Sequence, residues 1–307
     1  MSSGTIGTGS IPRSMQLGIK KIFGDSMAMH DKKYSEMFMG DTSTGAYETY
    51  VQMEGFGLAS AKAEGDDIVF DSRQQGFAPK FVNVSYAKGF TVTREAIDDN
   101  KYNLFGKGAS ALAESMAITK ETIGNAVYNN GFDSNFVMPG GDGSPLFSLT
   151  HSNGPSGGTY SNRLTVDADF SEASLENMLI QIRKITNARG LPAALQAVRL
   201  IVAPDEEFNA IRVLDSAGQS GSANNDINAV KKIGSIRDGV LVSPYLTDPD
   251  AWFILTNAKE GLTYYSRTPV EFDQDKSFTS SNTRFKAYER YCFGWGDARG
   301  CFGSQGA

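Results

Sequence analysis

A mixed α+β fold, with helices segregated from a mainly antiparallel sheet, is what the sequence predicts, and three observations point to it. Apolar residues recur three or four apart over residues 102–128, the mark of a long helix. Short strand-like runs bounded by turn residues crowd the second half of the chain. Residues 55–89 form an extended, largely polar arm that has no core of its own. The 307 residues suffice for one large domain or two ordinary ones. A hydrophobic fraction of 40% and a charged fraction of 21% are those of a globular chain, and 33 glycines imply many turns.

The first dozen residues lack the basic start and apolar run of a secretion signal and read as a flexible tail. Residues 15–39 then place Ile19, Ile22, Phe23 and Met27, followed by Tyr34, Met37 and Phe38, at helical spacing, with an interruption near Gly24 and Asp25. In the arm, Ile68, Val69 and Phe70 and then residues 81–86 flank residues 72–76, which predicts two antiparallel strands around an open tip. Such a ribbon is only marginally stable alone in water, so a second copy of the chain is expected to cover one of its faces. Residues 90–95 give a short strand that leads to the long helix. That helix carries Ala109, Leu112, Ala113, Met116, Ile123 and Val127 on one face and leaves Glu114, Lys120 and Glu121 for solvent or a neighbour.

Glycine- and proline-rich segments at residues 139–145 and 153–158 bracket residues 146–149 in a long crossing loop. Ser171 caps a helix with the stripe Leu175, Met178, Leu179, Ile182 and Ile185, which ends before Gly190 and Pro192. Residues 198–202 form a strand of the buried type, and Pro204 opens a short helix through Phe208, Ile211 and Leu214. Residues 217–225 read as a surface loop before residues 227–233. Strands are expected at residues 240–242, 252–255, 262–265 and 284–292, the last continuing to Phe302. No internal repeat is visible.

Composition excludes several chemistries. A net charge of −6 disfavours tight nucleic-acid binding, which needs clustered Lys and Arg. No run approaches the roughly 18 apolar residues of a membrane span, so a soluble protein made in the cytosol is expected. Cys292 and Cys301 are too few for a disulfide framework and read as reduced thiols in a sheet. His30 and His151 have no partners at zinc-site spacing, and no cofactor is expected. Asp142 and the pair Asp248 and Asp250 suit turns better than calcium. Asp66 with Asp67 and Asp98 with Asp99 are adjacent and make poor acid–base pairs. Gly154-Pro-Ser156-Gly-Gly158 fits the G-x-S-x-G pattern with His151 nearby, but its flanks are loop residues rather than a strand and a helix. No phosphate-binding glycine loop is present.

The order of the parts and several short motifs carry a resemblance. These are Ser144-Pro-Leu-Phe-Ser-Leu-Thr-His-Ser-Asn153 with Gly158-Thr-Tyr-Ser-Asn162, then Leu200-Ile-Val-Ala-Pro204, then Tyr245-Leu-Thr-Asp248 before Ala251-Trp-Phe253, and Gly294-Trp-Gly-Asp297-Ala-Arg-Gly300. Together they resemble the HK97-type fold of tailed-phage major capsid proteins, in the Mu-type major head subunit branch, from about Gly18 to the end. The resemblance implies an N-terminal tail and arm over residues 1–54 and an E-loop over 55–89 that reaches across an adjacent subunit. It implies a peripheral domain with a spine helix over 90–166, an axial domain over 167–264, and C-terminal strands returning to the peripheral domain over 265–307.

It further implies a homo-oligomer of hexameric and pentameric capsomers closing an icosahedral shell around double-stranded DNA. Scaffolding, portal and decoration proteins would be its partners, DNA contact would be weak and non-specific, and assembly would take place in the bacterial host cytoplasm. No long scaffolding segment is expected ahead of the arm. Lys80 has no nameable Asn partner, so no covalent cross-link is expected. Arg73, Phe77, Lys80 and Phe81 are the candidate interface residues, and a charge at Phe77 or Phe81 is expected to impair assembly while sparing the subunit's own fold. Two alternatives stand beside this reading. One is an encapsulin-like compartment shell, and the other is a serine hydrolase using Ser156 and His151.

Overall fold

The computed structural model describes residues 11–99, 102–155, 157–216, 218, 227–277, 279–280 and 282–307. Ser156, residues 1–10 of the expected tail and all of the expected loop at 217–225 except Gly218 lie outside the described residues. Ile11 and Pro12 already belong to helix α1 (Ile11–Met29). The expected break at Gly24 and Asp25 does not occur. An interior glycine costs a helix only about 1 kcal/mol, and tertiary packing outweighs it: Ile19 and Phe23 are buried and Phe23 stacks on Phe272 at 4.7 Å. The chain breaks instead at residues 30–33, ahead of the single turn α2 (Tyr34–Met37).

Strands β1 (Met39–Thr42) and β2 (Tyr47–Thr49) precede a long excursion that returns as β3 (Lys80–Val82) and β4 (Val84–Val92). Arg94 and Glu95, read as strand in the sequence, open the short helix α3 (Arg94–Asp98). Helix α4 (Tyr102–Asn129) runs where the periodicity put it. A small hairpin, β5 (His151–Ser152) with β6 (Thr159–Tyr160), leads to α5 (Glu172–Lys184). Ser171 caps α5 as expected: its hydroxyl accepts from the Ser174 amide while the Ser174 hydroxyl accepts from the Ser171 amide. Then come β7 (Ala197–Val202), α6 (Glu207–Asp215), α7 (Ala229–Ile233), β8 (Val240–Val242), β9 (Trp252–Thr256), β10 (Leu262–Lys276), β11 (Thr283–Trp295) and β12 (Cys301–Ser304).

Two open four-stranded sheets result, ordered β1-β10-β11-β4 and β12-β9-β7-β8. Each has one parallel pair, β1 with β10 and β7 with β8, in otherwise antiparallel surroundings. The hairpin of β10 and β11 is far longer than residues 262–265 and 284–292 suggested. Pro269 hid its length, because proline breaks a ladder; the register shifts between Thr268 and Glu271, so the strand passes the proline by a bulge. One core packs α5 on β7 and β9 around Leu175, Ile182, Leu200 and Trp252. A second joins Tyr128, Phe147, Phe253 and Trp295, and a third buries α1 and α4 on the hairpin through Phe23, Leu112, Met116, Phe272 and Phe285.

The polar face of α4 departs from expectation. Glu114 is exposed, but Lys120 and Glu121 are buried. Lys120 Nζ donates to Glu289 Oε2 on β11 at 2.6 Å and stands 4.7 Å from the centre of the Tyr291 ring. Burial pushes the Glu289 carboxyl up, and the Lys120 charge opposes that rise. Glu121 Oε2 accepts from the Tyr34 amide at 3.1 Å, tying α4 to the start of α2. Burial pushes its carboxyl up to about 7, against the pull of the Tyr34 and Lys33 amides. Helical spacing located the apolar face correctly, but it cannot show that a partner strand carries a matching charge.

Two outcomes follow for these carboxylates. Lys120→Met, which leaves Glu289 buried and unpaired, is expected to cost about 3–5 kcal/mol in urea unfolding, and Lys120→Met/Glu289→Met to recover most of that loss; equal midpoints for single and double variants would contradict the pairing. For Glu121, a carboxyl raised in the folded state favours folding fully below its unfolded value of 4.5, and that contribution is lost as pH rises through about 7. Glu121→Gln should therefore gain stability relative to the parent between pH 5 and pH 8, and a pH-independent difference would rule this out.

Candidate assembly interface

The excursion between β2 and β3 is an antiparallel ribbon, but its turn is not where the sequence placed it. β2 and β3 pair Tyr47 with Val82 and Thr49 with Lys80, and the seam continues through Tyr50 N to Pro79 O at 3.0 Å, Gln52 N to Phe77 O at 2.9 Å and Glu54 N to Gln74 O at 2.9 Å. Residues 72–76 therefore lie in the returning leg. The tip is at residues 63–66, where the Asp66 amide donates to Ala63 O and Gly65 takes φ +88°, a left-handed backbone that glycine adopts without strain. Ile68, Val69 and Phe70 are not a strand. Residues 84–86, expected in the ribbon, instead belong to β4, which pairs with β11.

Three ties hold the root of the ribbon. The Gln52 side-chain amide donates to Gly296 O beyond β11. The Ala78 amide donates to Gly140 O at 3.0 Å and the Lys80 amide to Pro139 O at 2.7 Å. Gly140 has φ +77°, and a Cβ there would run into the Ala78 carbonyl, so this close approach requires glycine. Farther out, the ribbon carries Phe56, Leu58, Ile68, Val69 and Phe70, all exposed, with Phe70 at 92%. Sequence reading did not single these out as interface residues. Their signal was an apolar run in a segment with no partner to bury it.

The four candidates occupy different places. Arg73 is exposed, donates from Nε to Glu54 O at 3.1 Å and lies 5.9 Å from the centre of the Phe56 ring. Phe77 is half-buried, and Lys80 holds its ammonium 3.7 Å from the centre of the Tyr47 ring. Phe81 is 2% exposed and packs edge-on against Tyr265 at 5.0 Å within its own subunit. A charge at Phe81 would be buried in that packing, so the expectation that the subunit tolerates it is corrected.

The chemistry suggested around His151 takes a structural form. Its ring is fully buried, with Nδ1 at 2.7 Å from Asp142 Oδ2, Nε2 at 3.2 Å from Leu146 O, and its face stacked on Tyr160. Both ring nitrogens are thus engaged. Burial opposes charge on Asp142, but its bond with His151 and the amides of Ser144 and Ser152 hold the carboxyl below its usual range. Strands β5 and β6, on either side of the G-x-S-x-G residues, are two residues long and pair with each other, whereas a nucleophile elbow needs a strand running into a helix. Asn162 completes the cluster, donating to the carbonyls of Leu146, Ala298 and Cys301 and fastening the crossing loop to the C-terminal strands. Among the described residues, no group of three or more His, Cys, Asp or Glu is placed to hold a metal, and no helix is long and apolar enough to cross a membrane.

A family model described as phage capsid protein matches residues 81–303. The fold is similar to that in the procapsid of bacteriophage JBD30, at 16% identity over 97% of this chain and 75% of that one, with a TM-score of 0.53. It is also similar to the structure from Mycobacterium phage Patience, at 12% identity over 98% and 89% of the two chains with a TM-score of 0.55. A virus-like particle from Pyrococcus furiosus matches at 9% identity over 93% and 97% of the two chains with a TM-score of 0.50. At these identities the likeness establishes the fold, which is HK97-like with open sheets. No curated protein sequence matches the chain. With a family match that spans most of its length and an HK97-like fold, the chain belongs to the phage capsid protein family and is a major capsid protein, a structural subunit rather than an enzyme.

Proposed function

We propose that this major capsid protein closes an icosahedral shell of hexamers and pentamers in which each ribbon lies across an adjacent copy. The observation that carries the proposal is the apolar outer half of the ribbon, where Leu58, Ile68, Val69 and Phe70 are exposed and, among the described residues, no second layer of the same chain covers them. Contiguous exposed apolar side chains of this kind mark contact surfaces. Many modest contacts, repeated over closed symmetry, hold such a particle together.

The division into arm (1–54), E-loop (55–89), peripheral domain (90–166), axial domain (167–264) and returning strands (265–307) belongs to the same proposal, as does membership of the Mu-type branch. The order of the motifs supports the branch. Scaffolding, portal and decoration proteins are its proposed partners, and assembly is placed in the host cytoplasm. A chain of net charge −6 suits packaged DNA that must enter and leave, with weak contact only. Phe77, Arg73 and Lys80 remain candidate contact residues. No covalent cross-link is proposed, and Lys80 is already seated against Tyr47. The Pyrococcus furiosus particle shares the fold, so a cellular compartment shell is the second reading; the family match over residues 81–303 favours the phage head.

The test is expression of the full chain, followed by light scattering and negative-stain microscopy at several salt concentrations. Capsomer rings or closed shells are expected from the parent. Leu58→Asp and Phe70→Asp should keep the parent's circular dichroism yet close few or no shells, Phe77→Asp should assemble poorly, and Phe81→Asp should lose folded protein. Normal shells from both Leu58→Asp and Phe70→Asp would remove the ribbon from the interface.

A further inference from the structure

The ribbon needs a direction as well as a root, and one side chain from a distant part of the sequence grips both of its legs. We propose that Arg189 is the latch that sets the angle at which the ribbon leaves the subunit. Arg189 sits in the turn after α5. Asn187 Oδ1 accepts from the amides of Arg189 at 2.9 Å and Leu191 at 3.0 Å, and Gly190 takes φ +75°. This turn presents the guanidinium to the ribbon.

Nε donates to Gly55 O on the outgoing leg at 3.2 Å, and Nη2 donates to Ser72 O on the returning leg at 2.6 Å. Carboxylates flank the fork on both sides, with Glu54 Oε2 3.6 Å from Nε and Asp71 Oδ1 3.7 Å from Nη2. Asp71 also accepts from the Gly57 amide at 2.9 Å, and Arg73 from the returning leg holds Glu54 O, so the clamp ties the two legs to each other as well as to the turn. A planar fork with five donors can reach two carbonyls and two carboxylates at once, and a single ammonium cannot.

Position makes the contact consequential. Among the described residues, the hydrogen bonds outward of this clamp, such as Asp66 N to Ala63 O, stay within the ribbon. Arg189 is therefore its outermost fastening. From there to the tip the legs span about nine residues, roughly 30 Å at strand rise. A tilt of about 10° at the clamp would move the tip by about 5 Å, a full strand spacing. Loss of the latch would misplace the apolar outer half of the ribbon without changing any residue in it.

This rests on the assembly reading for its consequence, whereas the latch itself can be read in the isolated subunit. Amide hydrogen exchange would be measured on Arg189→Gln, Arg189→Lys and the parent. In Arg189→Gln, the amides of Glu54, Gly57 and Gly76 should exchange about tenfold faster, as expected for the loss of a hydrogen-bonded tie, with β7 and β9 unchanged. Arg189→Lys should fall between. Shell yield should then drop in the same order. Parent-like exchange of the ribbon amides in Arg189→Gln would overturn the latch. Failure of the parent to assemble would count against the shell reading alone, leaving the exchange result to decide the latch.

Discussion

A two-stranded ribbon has one seam of hydrogen bonds, and among the described residues no second layer of its own chain covers its apolar side chains. That constraint organises the molecule. The root is heavily fastened, through Gln52 to Gly296, Ala78 to Gly140 and Lys80 to Pro139, while the outer half keeps Leu58, Val69 and Phe70 in solvent. Exposure of this kind disfavours a lone subunit and favours a complex that removes the surface from water, at about 25 cal/mol per Å² of apolar area. In the proposed shell, that cost to the monomer becomes a driving force for assembly.

A projecting arm works only from a stiff body. The hairpin of β10 and β11 supplies it, with α1 and α4 packed on it and β4 along its edge. Polar contacts fix how these layers sit: Lys120 with Glu289 joins α4 to β11, Glu121 joins it to α2, and Asn125 accepts from Ser243 beyond β8 at 2.7 Å. An apolar interface alone would permit the helix to slide by a turn. A buried ion pair has one register, which it specifies at the expense of desolvation.

Regular, self-contained elements were legible in the sequence. Residues 102–128 predicted α4 to within a residue, and Ser171 marked the start of α5, because spacing and capping are local. What escaped depended on contacts distant in sequence. Pro269 concealed the length of β10, whose bulge is set by β11. Alternation at residues 81–86 revealed a strand but not that Phe81 faces its own subunit, since a period of two gives two faces and no label for either. Phe77 and Phe81 were visible as aromatics near an interface. Phe70, 92% exposed, was hidden by reading residues 68–70 as strand, and Leu58, between Gly57 and Ala59, stood in no apolar run that would mark a contact. His151 drew notice as a catalytic type, yet Asp142 and Leu146 O hold both of its nitrogens in a structural clasp that only the fold brings together.

The central claim is that the ribbon's outer half is covered by a neighbouring copy. Hydroxyl-radical footprinting of dissociated subunits and assembled particles addresses it directly, reading oxidation at Phe56, Leu58, Ile68, Val69 and Phe70. The account predicts rapid oxidation in the subunit and strong protection in the particle, with Phe81 protected in both. Equal oxidation of the five outer residues in subunit and particle would contradict it.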